Sequence, residues 1–370
     1  GWLKRWLGVL FVILGALIAL GYEKKLEVAI LDAGYFDVTK IEQRLLKSAE
    51  TASETDKKKV SGAPRYQEIT SPSGFINTDA IRIGDLIGKK VVLVDIWTYS
   101  CINCQRTLPY LNAWYDKYRD QGLEIIGVHS PEFAFERDIN NVRKAVETYG
   151  IKYPVVLDND FGTWRAYGNQ YWPRKYLIDI NGDIVYDHAG EGAYDETEQK
   201  IQELLQERKA VLGMNEVIST DMTRPADAVG VDFVRIASPE TYFGSARNNL
   251  YSNRLQKLTG KQTLTLPQAE ELKANQLYLV GDWDISEEYS QSLTAGATVV
   301  YRYNAKSVYM VAEADQEVNV RVKKDGVLVR TVMVKDSTLY TLIEDNEYGA
   351  HEMVLEIMSP GLRAYTFTFG

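Results

Sequence analysis

The chain has 370 residues, 45% of them hydrophobic and 25% charged, a globular composition long enough for two domains with cores of their own. A net charge of −9, with no long basic run carrying interleaved aromatics, argues against a nucleic-acid or anionic-membrane binding face. Only two cysteines are present, too few for a disulfide framework or a four-cysteine structural zinc site.

At the start, Lys4 and Arg5 precede an uncharged apolar run from Trp6 to Tyr22, followed by Glu23, Lys24 and Lys25. About 17 residues is the short limit for a bilayer-crossing helix, and Trp2, Trp6 and Tyr22 stand where interfacial anchors would. A buried core helix or a cleaved signal peptide competes with this reading, but no small-x-small cleavage site follows. The expectation is a transmembrane helix over residues 1–25, held in the bilayer through residues 6–22. The chain begins with Gly1, as the tail of a longer protein would. Short juxtamembrane helices and a polar linker (SAETASETDKKKVSGA, Ser48 to Ala63) fill residues 26–62.

An α/β domain is expected over residues 63–213. Val91 to Trp97 is apolar except for Asp95, the pattern of a strand buried on both faces of a parallel sheet. Cys101 opens a helix towards Tyr118. A strand (Leu123 to His129), a helix (Asp138 to Tyr149) and a strand (Pro154 to Leu157) follow. Two strands, Lys175 to Ile180 and Ile184 to His188, are joined by the hairpin signal Asn181-Gly182. A helix from Thr197 to Leu212 closes the domain. Parallel strands with crossover helices, then an antiparallel pair, make an α/β layout.

Periodicity lapses over an interdomain segment, 214–235. Beyond it, residues 236–370 read as many short strands separated by turns such as Lys324-Asp325-Gly326, the pattern of an all-β sandwich or jelly roll. Trp283, Tyr289, Tyr301 and Tyr303 are candidates for an aromatic platform that binds a glycan or peptide. The plainer alternative is that they are core and surface residues of alternating strands.

The sharpest signal is Cys101-Ile102-Asn103-Cys104 at the end of a buried strand. Thiol–disulfide exchange needs a thiolate, and a helix N-terminus stabilises one through unpaired N–H groups and the helix dipole. Cys101 is therefore the candidate nucleophile, and Cys104, one turn further on, the candidate resolving thiol. Asp95 is a candidate proton relay for Cys104, because an unpaired buried carboxylate is costly. The alternatives are an aspartate paired with Lys or Arg, or one near the strand's end. Trp97 at the strand's end, Pro109 within the helix and Glu132 in a nearby loop are supporting candidates. Glu132 either tunes the thiol or is a solvated charge. Pro173, after Trp172 and before a strand, is a candidate cis-proline.

Two rival chemistries are weaker. Thr98 matches part of the P-x-x-x-T-x-x-C pattern of peroxidatic cysteines, but Val94 takes the proline's place. A metal site could add His129 or His188 to the cysteines, yet a lone C-x-x-C with scattered histidines rarely makes one. No nucleotide, flavin or metal motif appears, so no cofactor beyond the cysteine pair is expected.

The segments WTYSCINC (Trp97 to Cys104), VHSPEFAFE (Val128 to Glu136), YPVVLDND (Tyr153 to Asp160), YWPRKYLIDINGDIV (Tyr171 to Val185) and GEGAYDETE (Gly190 to Glu198) resemble thioredoxin-like proteins of TlpA type, and more closely the DipZ family. The resemblance covers Ala63 to about Leu212 and continues more loosely through SPETYFG (Ser238 to Gly244). It implies a thioredoxin-like domain outside the bacterial cytoplasmic membrane and a carbohydrate-binding-module-like β-sandwich after it. A preceding CcdA-type membrane domain would supply electrons, and the work would be disulfide reduction or cytochrome c biogenesis on client disulfides. By position, the family's redox pair falls on Cys101 and Cys104, its cis-proline on Pro173 and its buried aspartate on Asp95. Ile102-Asn103 replaces the Gly-Pro of thioredoxins and brings no cation, so a reducing or intermediate potential is expected.

Overall fold

The computed structural model describes residues 63–215, 217–248 and 259–370. The membrane helix and juxtamembrane segment expected over residues 1–62 lie outside the described residues. Among the described residues no helix is long and apolar enough to cross a membrane.

A six-stranded sheet organises the first half, in the order β1-β4-β3-β2-β5-β6. Its strands are β1 (Gly74–Ile76), β2 (Val91–Trp97), β3 (Leu123–His129), β4 (Val155–Leu157), β5 (Arg174–Ile178) and β6 (Ile184–Ala189). Strands β2, β3 and β4 are mutually parallel, whereas β1, β5 and β6 pair antiparallel. The helices are α1 (Ile102–Tyr118), α2 (Ile139–Thr148), the short α3 (Gly162–Ala166) and α4 (Tyr194–Leu212).

Strand β2 is buried at every position, and its alternation splits two cores. Val91, Leu93 and Trp97 pack with Leu108, Leu111 and Trp114 of α1 and Ile201 and Leu205 of α4. Val92, Val94 and Ile96 face the other way, onto Ile83, Tyr176 and Trp172. Asp95 falls in the register of the first set, so the pleat turns it towards the face that α1 covers. This is a thioredoxin-like fold, built on the strand–helix alternation read from the sequence.

The second half is all-β. Its strands are β7 (Thr241–Tyr242), β8 (Gly260–Leu264), β9 (Leu277–Ile285), β10 (Ser290–Ser292), β11 (Thr298–Glu313), β12 (Val318–Lys324), β13 (Val327–Val334), β14 (Thr338–Ile357) and β15 (Arg363–Phe369). They form one hydrogen-bonded sheet rather than separate layers. Strand β11 pairs with β9 near its start and β15 near its end, and β10 bridges β9 to β15, so the path closes on itself around one core.

Two of these strands are long, β11 running through Thr298–Glu313 and β14 through Thr338–Ile357. An irregularity keeps their ladder continuous: the β11–β14 pairing steps from Ala305–Gly349 to Ser307–Glu344, with the polar residues 345–348 on the longer side.

The aromatic platform expected on these strands is corrected. Trp283, Tyr301 and Tyr303 are buried in the core. The Trp283 indole N–H donates to the Val280 carbonyl at 2.9 Å, and the Tyr301 hydroxyl meets Thr241 Oγ1 at 2.7 Å. Tyr289 is half-buried against Tyr365. Strand alternation turns Trp283, Tyr301 and Tyr303 inward, so these three rings fill the core instead of forming an exposed platform.

Residues Ala63–Gly370 group as one compact unit, within which each half keeps a core of its own.

Candidate active site

Buried strand β2 delivers the chain to the turn Thr98-Tyr99-Ser100, all three residues buried, and Cys101 caps α1. The Cys104 backbone N–H donates to Cys101 Sγ at 3.3 Å, so the sulfur sits where a helix N-terminus favours negative charge. Cys101 is partly exposed, while Cys104 is buried beneath it. Burial, and then the hydrogen bond and charge of Cys101, push the Cys104 thiol well above its ordinary range. One sulfur is reachable and the other is held protonated behind it.

Asp95 lies in the interior with Oδ1 lacking a hydrogen-bond partner. Burial raises its pKa to about 7, against the opposing pull of Lys175. Lys175 stands across from it in the β2–β5 ladder, fully buried, with Nζ donating to the Gly190 carbonyl at 3.2 Å. Burial lowers the Lys175 pKa, and the charges of Asp95, Cys104 and Glu191 resist that fall. The sequence reading named a Lys or Arg partner as an alternative to a proton-relay role. In the structure the two are compatible, because Asp95 keeps a pKa near neutrality beside its lysine. Lys175 itself was missed. Its signal was a cation beside Arg174 at the head of the apolar run YLI, the counterpart of Asp95 in VVLVDIW.

Trp97 is buried, edge-on to His129 with ring centroids 5.2 Å apart. Gly127 makes room for it, since a Cβ there would lie 3.0 Å from the Trp97 indole nitrogen and 3.1 Å from Tyr153. Burial drops the His129 pKa to about 3, and its Nε2 accepts from the Tyr99 backbone N–H at 3.4 Å. His188 is occupied with the Glu191 carbonyl at 3.2 Å. Pro109 lies within α1. The Trp172–Pro173 peptide is cis, and Trp172 donates its indole N–H to the Ser130 carbonyl at 2.9 Å.

Glu132 is not a solvated charge. Its side chain is 8% exposed, and Oε1 accepts from Arg247 at 2.7 Å and from the Tyr242 hydroxyl at 2.9 Å. Both partners belong to the all-β half, so Glu132 joins the two halves beside the thiol. A groove of about 390 Å³ runs between them, lined by Cys101 and Trp172 on one side and by Tyr242, Val311, Thr366 and Phe369 on the other. No sequence pattern announced that the all-β half walls the redox site, because its contributing residues are scattered over more than a hundred positions.

Residues 68–187 match the AhpC/TSA family and residues 238–370 the thioredoxin-like C-terminal domain family. Protein DipZ of Mycobacterium bovis is 35% identical over 314 residues, covering 83% of this chain and 43% of its own length. The chain therefore spans less than half the length of that relative. The thiol-disulfide oxidoreductase ResA of Halalkalibacterium halodurans is 33% identical over 128 residues, which cover 35% of this chain and 67% of ResA. YkuV of Bacillus subtilis, also named a thiol-disulfide oxidoreductase, is 29% identical over 38% of this chain and 93% of its own. A solved thiol-disulfide isomerase from Corynebacterium glutamicum is 22% identical, covering 39% of this chain and 97% of its own, with a TM-score of 0.36. With a C-x-x-C pair whose first cysteine is partly exposed at a helix N-terminus, the chain belongs to the DipZ family of thioredoxin-like thiol–disulfide oxidoreductases.

Proposed function

We propose that the chain is the extracytoplasmic, membrane-anchored reductase part of a larger protein and passes electrons to disulfides of client proteins. The observation that carries the reading is the asymmetry of the pair, with Cys101 open to the groove and Cys104 buried among groups that hold its proton.

The Cys101 thiolate attacks a client disulfide. The client S–S bond breaks, a Cys101–client bond forms, and the departing client sulfur takes up a proton. Asp95, with its pKa near neutrality, accepts the Cys104 proton. Cys104 then attacks Cys101 Sγ, expelling the second client thiol and closing the Cys101–Cys104 disulfide. Two electrons pass to the client. The resulting disulfide is reduced again by a dithiol of a CcdA-type membrane domain, with residues 6–22 anchoring the chain beside it. Outside the cytosol an exposed dithiol without such a supply would stay oxidised. Cytochrome c biogenesis is one process that would use this chemistry. Cys101, Cys104, Asp95 and cis Pro173 carry the site, and Trp97 and Pro109 support it.

Redox titration of the Cys101–Cys104 pair tests the reading. A potential near that of thioredoxin, about −270 mV, supports a membrane-fed reductase. A strongly oxidising value, near about −120 mV, reverses the electron flow and overturns it. The AhpC/TSA match favours a second reading, a thiol peroxidase, for which the signature would be steady peroxide turnover.

A further inference from the structure

Glu136 is completely buried, and its two carboxylate oxygens serve two different segments. Oε1 accepts from Ser100 Oγ at 2.6 Å and from the Ser100 backbone N–H at 3.3 Å. Oε2 accepts from the backbone N–H groups of Glu132 at 2.5 Å and Phe133 at 3.0 Å. The first segment is the turn immediately ahead of Cys101. The second is the loop that meets the all-β half.

That loop is seated by aromatic packing. Phe133 and Phe135 lie with ring centroids 5.0 Å and 4.8 Å from Tyr365, in a cluster with Val311, Tyr289 and Leu339. Polar contacts surround the cluster. The Tyr99 hydroxyl donates to the Ser337 carbonyl at 3.0 Å, and the Ala134 N–H donates to Glu288 at 3.2 Å.

We infer that Glu136 is a positioning residue through which the all-β half governs the reactivity of Cys101. Seating of Phe133 and Phe135 holds the carboxylate, the carboxylate holds Ser100, and Ser100 fixes Cys101 Sγ against the Cys104 N–H. A buried acceptor serving several donors acts as a unit, because losing its place leaves every donor unsatisfied in a medium without water. Packed interfaces likewise shift between discrete arrangements rather than by degrees. Unseating the loop therefore loosens the turn, weakens the N–H contact to the sulfur and makes the thiolate harder to form.

The inference rests on Cys101 being the attacking thiol, and the experiment separates the two claims. The pH dependence of iodoacetamide alkylation is measured on the full chain, with the modified cysteine identified by mass. Cys101 reacting ahead of Cys104 in the unchanged chain upholds the attacking-thiol reading; Cys104 reacting first ends both claims. Tyr365→Ala and Phe135→Leu alter no charge in the site. Each is expected to move the Cys101 profile up by about half a pH unit or more, a roughly three-fold slower reaction at neutral pH. In a Glu136→Gln background the same changes are expected to add nothing further. An unmoved profile in both docking variants overturns the inference, as does an equal shift with and without Glu136. If Tyr365→Ala loses cooperative melting, Phe135→Leu decides alone. A purely structural role for Glu136 would lower the melting temperature without coupling the Cys101 profile to the distant ring.

Discussion

Asp95 and Lys175 face each other across the antiparallel β2–β5 ladder, and neither side chain reaches solvent. Burial pushes the two towards their neutral forms from opposite sides, raising the acid to about 7 and lowering the lysine. Small changes in their surroundings therefore decide where the proton resides, which suits a group that must take a proton from Cys104 and return it.

Replacing Asp95 with Asn removes that acceptor. Release of a client from the Cys101 mixed disulfide is expected to slow by about 100-fold at neutral pH. The unchanged chain's release rate should rise through about pH 7 as Asp95 ionises, and the Asn variant should lack that rise. His129 is not the source of such a step, since its pKa lies near 3. Rapid-quench analysis of the mixed disulfide across pH checks this; a persistent step in the variant would remove Asp95 from the mechanism.

The same residue has a stability signature. Its folded pKa of about 7 exceeds the ordinary 3.8, so its stabilising contribution is complete below about 3.8 and is lost as pH rises through about 7. The Asn variant should accordingly lose less stability than the unchanged chain between pH 4 and pH 8, by about 1–3 kcal/mol. Denaturant melts at the two pH values measure it.

Lys175→Met leaves Asp95 buried without its cation. A loss of about 3 kcal/mol is expected at pH 8, shrinking below pH 7 where the acid is protonated. Combining it with Asp95→Asn should recover most of the loss, because a buried pair replaced whole is far cheaper than one broken. Additive losses in the double variant would show that the two residues do not act as a pair.

The cysteines should separate cleanly by role. Cys104→Ser is expected to accumulate a client-linked species on non-reducing gels, and Cys101→Ser to form none. The reverse pattern would exchange the two assignments.

In the all-β half, Trp283→Ala should cost about 3–5 kcal/mol in a denaturant melt. Its ring fills the core and its N–H is already bonded to Val280, so an unchanged melt would contradict the burial described here.

Much of this molecule was written locally. Cys101 at the start of a helix, the buried strand carrying Asp95, and the run of strands after residue 236 all follow from periodicity and spacing, signals confined to a few neighbouring residues. The bounds of β11 and β14 did not, because a bulge keeps the ladder going through residues that look like a turn.

Partnerships between distant segments were decided only on folding. Lys175 meets Asp95 because β5 returns antiparallel beside β2, and no local pattern encodes that register. Glu132 meets Arg247, and Tyr99 meets Ser337, because an aromatic cluster seats the two halves together. The sequence by itself determined that this chain carries a redox pair at a helix N-terminus, since helix formation and thiol chemistry are short-range. The tertiary structure alone decided which buried charge faces the aspartate and what walls the thiol's groove, since burial and opposite charge act wherever the chain brings groups together.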